Sequence, residues 1–186
     1  MKISNKIFEK RPEKDRSEQE EAIFDRLEEL KIPHIRVDHD PADTMEDCRL
    51  IEERLEAPIC KNLFLCNRQQ TEFYLLLMPA DKPFKTKFLS SQLGCSRLSF
   101  ADAGHMKALL HTIPGSVSAL ELLFDTEHRV KLVVDEGLKK DSFFAGHPGF
   151  STSTMKMTRE DLLRYVKAAG HEPVYVELPD PRATEE

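Results

Sequence analysis

Two β-prone runs constrain this chain most: Ile59 to Cys66 (ICKNLFLC) and Glu72 to Met78 (EFYLLLM), separated only by the polar segment Asn67 to Thr71. Aliphatic and aromatic residues at this density favour a packed pleated surface, and a polar connection this short joins strands as a hairpin. The pair is expected to supply central strands of the core. Lys61 and Asn62 interrupt the first run. Burying an ammonium without a partner is costly, so Lys61 either points to solvent from a strand edge or reaches into a polar pocket. The spacing leaves both open.

Around this hairpin the rest of the chain alternates irregularly. Ser17 and Glu20 have capping-box spacing, and Ile23, Phe24, Leu27 and Leu30 follow at helical intervals, predicting a helix over 18–31 that Pro33 ends. His34 to His39 alternates as a strand. Thr44 and Asp47 then signal a second helix with Cys48, Ile51 and Leu55 as its apolar stripe. Short helices are expected over Lys87 to Leu93, stopped by Gly94, and over Ala101 to Leu110 before the turn at Pro114-Gly115. Strands are expected at Val130 to Val134, Ser142 to Ala145 and Ser151 to Met157. Thr158 and Asp161 open a helix that Gly170 closes, and a last strand covers Val174 to Glu177. Strands and helices without a steady βαβ rhythm indicate an α+β fold.

A length of 186 residues fits one domain. We place it at 17–178, with a charged N-terminal extension at 1–16 and a polar tail, expected to be disordered, at 179–186. The N-terminus lacks a signal-like apolar stretch and no apolar run reaches the roughly 20 residues that cross a bilayer, so the expectation is a cytoplasmic protein with no membrane partner. Cys48, Cys60, Cys66 and Cys95 show no metal-ligand spacing and read as reduced, mostly buried thiols. Neither a metal nor a cofactor is expected.

The net charge of −6 argues against a DNA-binding role, and no helix-turn-helix signal is present. The acidity is local, however. Residues 1–60 hold 17 acids and 11 bases, whereas the remainder is neutral. Within that remainder, over the stretch 81–107, Lys82, Lys85, Lys87, Arg97 and Lys107 outnumber Asp81 and Asp102 and form a candidate phosphate-facing patch; a solvated helix face is the plain alternative.

No GxSxG, P-loop, GxGxxG or HExxH motif occurs. Three weaker features remain. Besides Lys61-Asn62, the turn Pro114-Gly115-Ser116-Val117-Ser118 could converge backbone N–H groups on an anion or carbonyl oxygen. His147-Pro148 stands beside the hydroxyl cluster Ser151 to Thr154. Taken singly, the turn reads as an ordinary loop and the histidine as a structural hydrogen-bonding residue.

Taken together and in order, the segments TMED (44–47), KNLFL (61–65), RLSF (97–100), PGSVS (114–118), the run 130–135 and His147-Pro148 resemble the prolyl-tRNA synthetase-associated, YbaK-like family of aminoacyl-tRNA deacylases. The similarity spans about 18–178, and KNLFL and RLSF resemble the free-standing alanyl-tRNA branch. The resemblance implies a single compact α+β domain with a mixed, barrel-like β-sheet surrounded by helices. It also implies hydrolysis, in trans, of alanine wrongly esterified to the proline tRNA, with neither a metal nor a side-chain nucleophile. Mischarged tRNA would be the partner, and prolyl-tRNA synthetase a further one.

By the same resemblance Lys61 holds the substrate's terminal phosphate or ester and Asn62 orients it. Gly115 and Ser116 present amides to the carbonyl, and the substrate's own hydroxyl assists the attacking water. Thr44, Val117, Ser118 and His147 are expected to bind substrate, His147 by setting size or orientation; Lys87 of the basic patch joins them. The chain departs from the family pattern at Ala57-Pro58-Ile59-Cys60 and at Ser151, where relatives carry asparagine. A non-catalytic module that binds aminoacyl-tRNA or a related metabolite is the alternative reading.

Overall fold

In the computed structural model, residues 1–13, 16–42 and 44–180 are described. The tail expected from residue 179 therefore lies, from 181 onward, outside the described residues.

Local signals set most elements. α1 (Glu18–Glu29) begins with the Ser17–Glu20 capping box, in which each residue's side chain bonds the other's backbone N–H, and α2 (Met45–Leu55) begins with the same box between Thr44 and Asp47. β1 (Ile35–Asp38) links them. β2 (Cys60–Asn67) and β3 (Phe73–Pro79) pair antiparallel as the hairpin spacing predicts. α3 (Thr86–Leu93) ends at Gly94, whose φ of 61° closes the helix, and α4 (Ala103–Leu110) starts on an Asp102 cap. Between these two helices lies β4 (Leu98–Phe100), a three-residue strand that the sequence reading passed over. β5 (Val130–Asp135), β6 (Phe143–Gly146), β7 (Ser153–Thr158), α5 (Arg159–Ala168) and β8 (Val174–Val176) complete the order. A 3-10 helix over Ala119–Phe124, capped by Ser118, follows the PGSVS turn.

The strands form a mixed α+β architecture in two sheets. One has the order β4-β2-β3-β5-β8, antiparallel on the β2 side and parallel from β3 to β8; the other has the antiparallel order β1-β7-β6. A single parallel bridge, Ile59 to Ala145, joins them where the expected barrel-like sheet would close.

Strand alternation then divides the core. Phe64, Cys66, Phe73, Leu75, Leu132 and Val134 face the main cluster under α1, α5 and the smaller sheet. Leu65, Tyr74, Leu76, Met78 and Val133 face the opposite side, against Leu89 of α3. A third cluster, Val37, Ile51, Leu55 and Ala145, fixes α2 onto the smaller sheet.

Part of the segment before α1 packs against β1 and its end. Ile3 bridges His39, Phe8 bridges Arg36, and the Arg36 guanidinium lies 4.4 Å from the Phe8 ring centre. Among the described residues, no helix is long and apolar enough to cross a membrane.

The basic patch requires one correction. Lys82 donates to both Asp135 oxygens, at 3.0 and 2.9 Å, and Asp135 is fully buried. A lysine that neutralises a buried carboxylate is not free for phosphate.

Candidate active site

A cleft of about 400 Å³ opens where the edge of β2 meets β6. Asn62 and Phe64 come from β2, Gly115 and Val117 from the turn, Gly146 and His147 from the end of β6, and Thr154 from β7. Segments spread along the chain from Asn62 to Thr154 thus meet at one place.

Alternation along β2 separates Lys61 from Asn62. Asn62 pairs with Leu77, on the main-core side that carries the cleft, and Lys61 pairs with Met78 on the other. The Lys61 ammonium donates to the Lys82 carbonyl oxygen at 2.8 Å, in an adjoining groove that shares Cys48, Ile59 and Cys60 with the cleft. The Asn62 amide is held by its Nδ2, which donates to the Cys60 carbonyl oxygen at 3.1 Å.

The turn distributes its N–H groups by turns. Ser116 N–H closes onto the Ile113 carbonyl oxygen at 3.1 Å, and Ser118 N–H is taken by the Glu121 carboxyl. Among the described residues, the Gly115 and Val117 amides have no protein acceptor. The expectation that Ser116 presents its amide is therefore revised: Ser116 is buried with that N–H spent, and Gly115 and Val117 are the uncommitted donors. Gly115 adopts φ 87°, a left-handed geometry that a side chain would strain. Ser118 lines no part of the cleft; its hydroxyl donates to the His147 carbonyl oxygen at 2.9 Å.

Buried Glu121 braces the same junction. One carboxyl oxygen takes the Ser118 N–H and the other takes the Gly149 N–H at 3.0 Å, so it ties the turn to the His147 loop. Burial pushes its carboxyl up to about 8, against the pull of those amide bonds.

His147 belongs to a polar relay. Its Nδ1 lies 2.9 Å from the Ser153 carbonyl oxygen and 3.2 Å from Thr154 Oγ1; Thr154 Oγ1 lies 2.8 Å from His39 Nε2, and His39 Nδ1 lies 2.8 Å from the Asp40 carbonyl oxygen. Carbonyl oxygens only accept, so both Nδ1 atoms carry hydrogen and the Thr154 hydroxyl donates to His39. Burial lowers the affinity of both rings for a second proton. His147 is then a neutral ring whose Nε2, without a partner among the described residues, is an acceptor at the cleft.

Thr44 and Lys87 are placed elsewhere. Thr44 is an exposed helix cap, and Lys87 lies on α3 with its ammonium 5.0 Å from the Phe88 ring centre. The cleft thiols are inert: burial pushes Cys60 up to about 12 and raises Cys48. Among the described residues, no three His, Cys, Asp or Glu side chains group as metal ligands.

The model of the aminoacyl-tRNA editing domain matches residues 39–165, a span that takes in every element of this cleft. The chain belongs to that family. This editing domain is 33% identical over 158 residues to the prolyl-tRNA editing protein ProX of Acetoanaerobium sticklandii, covering 85% of the chain and 96% of that protein. It is 32% identical over 164 residues to the mouse prolyl-tRNA synthetase associated domain-containing protein 1, covering 85% and 95%. Two solved structures share its fold. They are hypothetical protein APE2540 (TM-score 0.67, 16% identity, 84% and 98% covered) and a candidate trans-editing enzyme for prolyl tRNA synthetase (0.64, 15%, 89% and 100%).

Sequence reading missed two members of this editing domain's site, His39 and Glu121. His39 read as a strand end, though a histidine just before Pro41 beside a hydroxyl-rich partner strand was a usable signal. Glu121 sat in an apolar stretch, and its spacing of three from Ser118 is again a capping box. Val117 was expected to bind substrate, but that its amide stays uncommitted while that of Ser116 is spent had no signal, because backbone commitment depends on how the turn closes.

Proposed function

We propose that this protein is a trans-acting deacylase that hydrolyses the ester of alanine mischarged onto the proline tRNA. The observation that carries the reading is the convergence of two uncommitted amides, Gly115 and Val117, with the neutral acceptor of His147 in one cleft. Water attacks the ester carbonyl carbon, the carbonyl oxygen gathers negative charge, and the two N–H groups stabilise it. The bond to the ribose oxygen then breaks, that oxygen takes the proton the water gives up, and free alanine leaves. Inert cleft thiols are consistent with water as the nucleophile.

His147 Nε2 accepts a hydrogen bond from the substrate's amino group and orients the ester. Asn62 fixes the opposite wall. Lys61, in the adjoining groove, exchanges the Lys82 carbonyl for the substrate's terminal phosphate. Editing of this kind has a physical motive: a pocket built for proline rejects a smaller apolar side chain by only about 1–3 kcal/mol per methylene, so a second, smaller sieve is needed. ProX is similar over nearly its whole length, which supports the prolyl system as the source of substrate.

The deciding experiment is release of labelled amino acid from a panel of mischarged tRNAs. Alanyl ester on the proline tRNA should be hydrolysed and correctly charged prolyl-tRNA spared. Binding of both without release would establish the non-catalytic alternative.

A further inference from the structure

Phe100 is the most solvent-exposed large hydrophobic side chain among the described residues, at 61%, and it lines the cleft. A phenyl ring left in water at the mouth of a polar site gains nothing from folding. Its neighbour on the same strand face, Leu98, is fully packed. Phe84 supports the ring edge-on, at 6.4 Å between centres, so its orientation is set while one face stays open.

From Phe100, β4 runs back to Arg97, three residues or about 10 Å away. There a groove is lined by Lys85, Lys87, Ser90, Ser91 and Arg97. Lys85, Lys87 and Arg97 are exposed, and among the described residues none has a carboxylate partner, in contrast to Lys82. Asp102, the acid nearest Arg97 along the chain, is held by the His105 backbone N–H and ring.

We propose that Phe100 is the stacking platform for the base of the terminal nucleotide, and that the RNA's single-stranded 3′ end runs from it along β4 to Lys85, Lys87 and Arg97. An open aromatic face followed by unpaired cations is the arrangement that binds a single strand: the ring takes a base of any identity and the cations take backbone phosphates. The proposal rests on the editing reading and adds a site to it. It also explains why the ring is exposed beside a cleft whose amides act on the ester attached to that same nucleotide.

The test uses an uncharged RNA ending in CCA with 2-aminopurine in place of the terminal adenine, titrated into the full-length protein. Stacking on Phe100 should quench the fluorophore. Phe100→Ala should abolish the quench and weaken binding roughly ten-fold, the size of one base–aromatic stack, while Phe100→Trp keeps both. Reversing Lys85, Lys87 and Arg97 together to glutamate should weaken the same titration and flatten its dependence on salt. Quenching by Phe100→Ala equal to that of the unaltered protein would overturn the platform, and an unchanged salt slope would overturn the path. Because the RNA carries no ester, neither result depends on hydrolysis. An unaltered protein that quenches yet releases no amino acid from any mischarged tRNA would instead refute the editing reading.

Discussion

His147 donates its Nδ1–H to the Ser153 carbonyl oxygen at 2.9 Å, and this bond decides which ring nitrogen faces the cleft. The remaining nitrogen is a lone-pair acceptor only while the ring is neutral, and burial keeps it so by lowering its proton affinity. Thr154 and His39 extend the same constraint behind it.

Activity should therefore persist below the ordinary histidine range and fall only as pH drops through the lowered value, where Nε2 gains a proton. Thr154→Val, similar in shape, removes the hydroxyl between the two rings. It should lower kcat about 10-fold or more and shift the acid limb of the pH profile while the circular dichroism spectrum stays native. An unshifted profile would separate the relay from His147.

Lys61→Ala should lose only one hydrogen bond of stability, about 1 kcal/mol, from its contact with the Lys82 carbonyl. Its deacylation rate should drop by about 100-fold or more, roughly 2.7 kcal/mol, as for one preorganised electrostatic contact. Lys61→Arg should restore little, because a planar fork does not replace a compact ammonium. Normal turnover by folded Lys61→Ala would remove this lysine from the mechanism.

Lys82 and Lys87 should respond oppositely. Lys82→Ala strands the fully buried Asp135 carboxylate and should cost about 3 kcal/mol in a denaturant titration. Lys87→Ala should leave the denaturation midpoint in place and change only RNA affinity. Equal stability of the two variants would contradict the pairing.

Glu121 makes stability depend on pH with a definite sign. Its carboxyl is raised from 4.5 to about 8 by burial, so the unfolded chain gives up its proton first as pH rises. The stability held by the neutral form is full below the unfolded value and drains as pH climbs toward the folded one. Glu121→Gln cannot titrate. It also sets an NH2 against one of the two amides it replaces as acceptor, at a cost of about 1–3 kcal/mol. Melting temperatures measured from about pH 5 to about pH 8 should show the unaltered protein losing its advantage over Glu121→Gln as pH rises; a gap that widens would refute this assignment.

Much of this protein was legible in one dimension. The Ser17 and Thr44 capping boxes, the Gly94 stop and the hairpin from Cys60 to Pro79 each depend on residues only a few positions apart, and each formed near its expected place. The order of short motifs from Lys61-Asn62 to His147-Pro148 was enough to indicate the family. The short β4 was missed because a three-residue strand has too little periodicity to register, and it forms only because β2 offers it an edge.

What the tertiary structure alone decided is which groups face the cleft. Lys61 and Asn62 are adjacent in sequence yet lie on opposite faces of β2, because successive strand residues alternate and the register with β3 assigns each face to a different core. Lys82 became structural because folding brought it to Asp135, 53 positions away. The free amides at Gly115 and Val117, and the free Nε2 of His147, are defined by what their neighbours have already bonded. A hydrogen bond that is already made is a property of contacts distant in sequence, so only the folded chain shows which donors and acceptors remain for a substrate.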